Sequence, residues 1–226
     1  MDNIKELLHS LSEENYKDFQ YKLVPNAKNI LGVRVPILRK IAKGIAKANW
    51  KDFLEKQNRE SYEELLLEGY VIGYAKMDID EALAYLEKFI PKINNWAICD
   101  GSISTLTFTK KNMDTVYEFI KPYLESDEEF EVRFAVVMLL TFYINEIYID
   151  DILLLLDKIL NRAYYVSMGI AWAISICYVK FPQKTETFLN TNNLDDFTHN
   201  KSIQKITESL RIDKDTKIRV KKLLRK

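Results

Sequence analysis

Apolar residues along this chain recur mostly at intervals of three and four, the spacing that lines one face of an α-helix, and no pair of segments reads convincingly as β-strands. Residues 3–9 and 12–23 read as two short helices, the second opened by Ser12 with Glu13 and Glu14 and stopped by Pro25. After the loop Gly32-Val33-Arg34-Val35, Pro36 presets the first turn of a helix with Ile37, Leu38, Ile41 and Ile45 on its apolar face and cations opposite. A short helix is expected near 50–57. Ser61 caps a longer one running to about Lys76, and Asp78 caps the next, which ends near Pro91. Asn94 or Asn95 then caps a helix extending to about Phe108, and Asn112 starts another that ends near Leu124. Helices over 130–143 and 149–160 lead to a long, nearly all-apolar helix over 163–180. Shorter ones near 184–190, 194–208 and 213–225 bring the total to about thirteen.

Short connections between so many helices fit either a globular bundle or an α-solenoid of stacked helix pairs. The spacing of the most apolar helices favours the solenoid. They centre near residues 70, 102, 137 and 172, every 32 to 35 residues, and each follows a more amphipathic, acidic partner. One helix pair per 30–45 residues is the mark of a HEAT-like repeat. The expected fold is therefore all-α, an α-solenoid of HEAT-like helix-pair repeats with a concave groove, formed by residues 1–226 as a single domain.

Composition removes whole classes. With 6 Gly and 5 Pro in 226 residues there is little turn material for an all-β fold, and no segment approaches the roughly 20 apolar residues of a membrane span. The N-terminus does not read as a signal peptide, and the expected location is cytoplasmic. Two cysteines, Cys99 and Cys177, are too few for a disulfide scaffold, and together with His9 and His199 they show no metal-ligand spacing. Neither a metal nor a cofactor is expected. The formal net charge is zero but unevenly spread. Residues 21–51 hold eight cations and no acid, and the last 26 residues carry +7 against −7 in the preceding 200. Basic blocks flanking an acidic middle raise the expectation of a polyanionic partner. Solvated helix faces explain the same pattern.

Near the middle, Trp96 and Asp100 stand four residues apart in a helix-forming run and must project from one face. Asp100 to Arg133 is 33 residues and Arg133 to Trp172 is 39, each about one repeat, so a solenoid would present all four to one groove. Taken singly, the tryptophans read as core residues and Asp100 as the ion-pair partner of Arg133.

Four stretches together resemble the AlkD-type DNA alkylation repair glycosylases, a HEAT-like-repeat family: Gly32-Val-Arg-Val-Pro36-Ile-Leu-Arg39, Trp96-x-x-x-Asp100, Arg133 within Glu131-Val-Arg-Phe-Ala-Val, and Gly169-Ile-Ala-Trp172-Ala. The resemblance covers most of the chain. It departs from the family pattern at Ala97, where many members have a second aromatic, and at Met168, where a cation is common. What it implies is excision of cationic N3- or N7-alkylated purines, such as 3-methyladenine and 7-methylguanine, from double-stranded DNA without a metal or redox cofactor; no membrane partner is expected, and a clamp around a duplex needs only one chain, so a monomer is expected. Asp100 would stabilise the cationic sugar, Trp96 and Trp172 would contact the deoxyribose, and Arg133 would bind a backbone phosphate. The two terminal basic blocks would hold the duplex backbone at either end of the groove, Arg34, Arg39, Lys40 and Lys43 being the residues of the first block assigned to it. Two other readings stay open from the residues alone: a non-catalytic module for damaged or branched nucleic acid, and a protein-interaction solenoid.

Overall fold

The computed structural model describes residues 3–25, 27–56 and 58–226. Met1 and Asp2, at the terminus read above for a leader, and Gln57, at the end of the short predicted helix, lie outside the described residues. The chain is all-α, with fourteen α-helices and no strand among the described residues. They are α1 (Asn3–Ser10), α2 (Glu14–Leu23), α3 (Val35–Lys47), α4 (Trp50–Glu55), α5 (Tyr62–Tyr74), α6 (Ile79–Phe89), α7 (Trp96–Ile103), α8 (Met113–Ile120), α9 (Glu129–Met138), α10 (Ile149–Lys158), α11 (Tyr164–Lys180), α12 (Pro182–Thr191), α13 (Asp196–Glu208) and α14 (Lys214–Lys221). They form two compact units, Met1–Val116 and Tyr117–Lys226.

Several helices end differently from expectation: α8 gives way to a 3₁₀ turn, Lys121–Glu125, after Ile120, and α14 ends at Lys221 instead of near 225. α7 stops at Ile103 instead of continuing to Phe108, because the Ser104 and Thr105 hydroxyls donate to the carbonyls of Gly101 and Ser102 and take over the last turn. A 3₁₀ turn, Thr107–Lys111, follows. α9 passes at Leu139 into a π-helical turn that ends at Tyr143.

In the first unit α3 packs on α5 and α5 on α7; in the second α9 packs on α11 and α11 on α13. The middle member of each row is enclosed on several sides. Leu66, Leu67, Tyr70, Val71 and Ile72 of α5 are all buried, as are Val166, Ile170, Ala171, Ala173, Ile174 and Cys177 of α11. A helix apolar all round is stable only when neighbours cover it, so these two cannot exist outside the stack.

Within each unit, polar side chains tie elements one repeat apart. The buried Glu63 carboxylate accepts from the backbone N–H groups of Leu31, Gly32 and Val33 at 2.8 to 3.2 Å. Gly32 is needed there: its φ is +93°, and a Cβ would lie 2.6 Å from the Glu13 carbonyl oxygen. In the second unit Glu129 accepts from the Tyr165 N–H at 2.7 Å and Asp157 from the Asn193 N–H at 2.7 Å, while Lys180 donates to the Ile144 carbonyl at 2.8 Å. All these partners are 30 to 36 residues apart, so the hydrogen bonds carry the repeat that the apolar helices announce.

The C-terminal end is clasped in the same manner. His199, buried in α13, donates from Nε2 to the Leu223 carbonyl at 2.9 Å and accepts at Nδ1 from Asn192 Nδ2 at 3.1 Å, an arrangement that only the neutral ring makes. Burial holds its pKa below the ordinary 6.5, with the Arg225 cation pulling the same way and the Leu223 carbonyl and Asp196 pulling against them. The unfolded chain therefore binds the proton more readily, and stability present above about pH 6.5 is lost as the pH falls through the lower folded value. Thermal melts of the wild type should drop between pH 7 and pH 5 by more than those of His199→Gln, and parallel curves would assign the acid loss to other groups.

Candidate functional site

In the first unit the site begins with the way α7 starts. Asn95, itself buried, accepts from the N–H groups of Ala97 and Ile98, both at 3.0 Å, which fixes the helix start one residue before Trp96. From there the helix divides cleanly. Ile98, Cys99, Ser102 and Ile103 are buried, whereas Trp96, Ala97, Asp100 and Gly101 are half-buried and Ser104 is exposed, so Trp96 and Asp100 share the accessible edge that their spacing requires.

Two glycines of α5 bring that edge close to the rest of the unit. A Cβ on Gly69 would lie 2.0 Å from the Ser102 hydroxyl oxygen, and one on Gly73 would lie 2.0 Å from Thr105 Oγ1 and 2.7 Å from the Thr105 carbonyl carbon. Backbone thus meets the small residues of α7 and the turn after it without intervening side chains, and α7 sits deeper than two ordinary helices would allow.

Arg39 reaches the same place from α3. It donates to the Tyr74 hydroxyl at 3.0 Å and to Ser104 Oγ at 2.7 Å, with its guanidinium 4.7 Å from the centre of the Tyr70 ring. Ser104 Oγ in turn donates to the Gly101 carbonyl, so a cation is linked to the C-terminal end of the helix bearing Trp96 and Asp100, where a helix dipole favours positive charge. Lys43, one turn on, lies 5.3 Å from the Tyr74 ring centre, and Lys40 is exposed on the same outward side of α3. Burial raises the Tyr70 phenol above its ordinary pKa against the pull of Arg39, so the ring stays neutral. Arg34 goes elsewhere: it pairs with both carboxylate oxygens of Glu13, at 2.7 and 2.8 Å, and lies over Tyr16.

In the second unit Arg133 is buried, an environment that its acidic sequence neighbours did not foreshadow. Its Nη1 donates to the Tyr165 carbonyl at 2.7 Å while Glu129, one turn earlier on α9, accepts from the Tyr165 N–H. Residues i and i+4 of one helix thus hold both polar groups of a single residue in the first turn of the next. Ala163 at the start of α11 has no capping side chain, and its first turn contains no acid, so the Glu129 carboxylate from α9 serves as the cap. Gly169 leaves room beside the guanidinium, a Cβ there lying 3.6 Å from Arg133 Nη1. Trp172, seven residues after Tyr165 and on the same side of α11, is 36% exposed, more than a packing role requires.

Each predicted residue is therefore placed within its own unit. Trp96 and Asp100 share one edge, Arg39 is linked to that helix, Lys43 joins the adjoining tyrosine row, and Arg133 is set under α11 ahead of Trp172. Sequence reading missed Tyr70, Tyr74 and Glu129. A signal existed for the first two: Tyr70 and Tyr74 repeat the four-residue spacing of Arg39 and Lys43 at a distance of 31 residues. The cysteines offer no nucleophile, Cys99 being buried and the Cys177 thiol pushed up to about 12 by burial. Among the described residues no group of three or more His, Cys, Asp or Glu is arranged to hold a metal, and no helix is long and apolar enough to cross a membrane.

The glycine seating is testable by contrast. Gly73→Ala should destabilise by about 2–3 kcal/mol through overpacking against Thr105, while Gly44→Ala, which meets nothing within 4 Å on the exposed side of α3, should stabilise by about 0.5–1 kcal/mol. Urea denaturation of both variants checks this, and equal effects would show that α7 is not seated by backbone contact.

Comparison with curated proteins returned no match. A family model described as DNA alkylation repair enzyme matches residues 4–206, nearly the whole chain. A match over nearly the whole of this all-helical chain means that the chain belongs to the DNA alkylation repair enzyme family.

Proposed function

We propose that this protein is a DNA glycosylase that removes cationic N3- or N7-alkylated purines from duplex DNA. The observation that carries the reading is the accessible edge of α7, where an indole and a carboxylate stand side by side on a helix locked against its neighbours, in a chain of a DNA alkylation repair family.

Alkylation at N3 or N7 gives the purine a positive charge, so cleavage of the bond from C1′ to the base nitrogen releases a neutral base with both bonding electrons. No proton has to be supplied to the leaving group, and the acid of a paired-carboxylate glycosidase has no task. The positive charge passes instead to the sugar as an oxocarbenium-like cation. A carboxylate held where that charge develops stabilises the transition state more than the ground state, which is the role assigned to Asp100. Indole faces favour the same cation, so Trp96, beside Asp100, is assigned as a wall at the deoxyribose, and Trp172 of the second unit is assigned a sugar contact of the same kind. Water then adds to C1′, its proton goes to solvent, and an abasic site remains.

A phosphate next to the lesion is assigned to Arg133, which is buried against the Tyr165 carbonyl and reaches the phosphate only if the duplex opens that contact, with Lys40, Lys43 and Arg39 on α3 as further cations. Arg34 contributes only if DNA draws it away from Glu13, an exchange of one charge-assisted pair for another that adds little net affinity.

Single-turnover release of 7-methylguanine from a duplex tests the assignment. The wild type should exceed the spontaneous rate, and Asp100→Asn should lose about 10²-fold or more, the size expected for one charge-directed group. Release no faster than in buffer would remove the enzymatic reading, while equal rates for the two proteins would remove only the role of Asp100.

A further inference from the structure

The C-terminal helix sorts its cations by function. Its arginines are used to hold it in place: Arg219 pairs with both oxygens of Glu186 at 3.0 Å and donates to the Tyr178 hydroxyl, and Arg225, just past the helix, donates to the Asn192 and Leu194 carbonyls. Val220 is fully buried against the unit, the Leu223 carbonyl accepts from His199, and Asp213 caps the start by accepting from the Thr216 N–H. With that side fixed, 3.6-residue geometry turns Lys214, Ile218, Lys221 and Lys222 outward as one stripe, and all four are exposed. Asp215 flanks it as the single acid. Among the described residues none of Lys214, Lys221, Lys222 and the neighbouring Arg211 is ion-paired.

Ile218, 61% exposed, stands in the middle of that stripe, and Leu210, 99% exposed, lies in the turn before the helix. Cations alone fit any polyanion. A large aliphatic side chain fixed among them has no counterpart on a phosphate backbone, whereas an acidic peptide with an apolar anchor answers both features, carboxylates on the lysines and a hydrophobic side chain on Ile218. The lysine stems add apolar cover beside it. We propose that the outer face of α14 is a docking surface for an acidic protein segment carrying aliphatic or aromatic anchors. This surface is separate from the residues assigned to base excision, and the proposal does not depend on that activity.

A fluorescein-labelled dodecapeptide repeating Asp-Asp-Leu is the probe, read by anisotropy against full-length protein, with an all-aspartate peptide of equal length and a labelled DNA duplex as comparisons. The Asp-Asp-Leu peptide should bind in a salt-dependent manner and at least tenfold more tightly than all-aspartate. Ile218→Ser should abolish that advantage while leaving duplex binding unchanged, and Lys221→Glu with Lys222→Glu should remove peptide binding altogether. Circular dichroism confirms that both variants keep their helices, which is expected for fully outward positions. Equal binding of the two peptides, indifference to Ile218→Ser, or no peptide binding at low salt would each overturn the proposal. Parallel loss of peptide and duplex in the Ile218 variant would also overturn it, and would assign the face to nucleic acid.

Discussion

The first backbone N–H groups of a helix have no partner in its own i to i−4 ladder, and in a stack of helices many of them face protein. This chain answers that constraint with local caps at some helices and with side chains from the neighbouring repeat at others. Glu63 takes three N–H groups of the loop ahead of α3, Glu129 takes one at the start of α11, and Asp157 takes one ahead of α13. At Leu31, Gly32, Val33 and Tyr165 the donor is buried or half-buried, and removing its acid costs about 1–3 kcal/mol per group, whereas the exposed Asn193 N–H can turn to water. Within each unit the tied repeats therefore resist sliding, and the positions of side chains one repeat apart are set by these bonds as well as by apolar packing.

The residues assigned to chemistry inherit their placement from the same device. α7 is pressed against α5 by Gly69 and Gly73 and gripped at its far end by Arg39 through Ser104, so the edge that presents Trp96 and Asp100 has little freedom to tilt. Arg133 is positioned by the residue it helps to cap, since Glu129 and Arg133 hold the N–H and the carbonyl of Tyr165 between them. Catalysis by a fixed counter-charge demands such rigidity, because a carboxylate that can retreat into water solvates itself instead of the cation.

Much of the fold was readable from the chain. Helix starts at Ser61, Asp78 and Asn95 follow from their capping side chains, and all three caps are made. The apolar period of 32 to 35 residues and the polar ties of 30 to 36 express the same repeat. The shared edge of Trp96 and Asp100 follows from helical geometry alone. What could not be read is partnership between helices. Arg34 and Arg39 look alike in sequence, yet one is spent on Glu13 and the other on Tyr74 and Ser104. Glu129 accepts from the N–H of a residue 36 positions away, at the start of α11, a role that its own stretch of sequence does not mark. The end of α7 was missed because hydroxyls at Ser104 and Thr105 compete for its last carbonyls, a local effect that apolar periodicity does not register.

The central claim is that the leaving base carries its own positive charge and that the protein supplies only a counter-charge for the sugar. It is tested most directly by offering the wild type two duplexes alike except for the target base, one with cationic 7-methylguanine and one with neutral hypoxanthine, and measuring base release from each. The account predicts release of 7-methylguanine above the spontaneous rate with hypoxanthine left at background. Comparable release of hypoxanthine would contradict it, because a neutral purine leaves only with a proton that no residue in this account provides.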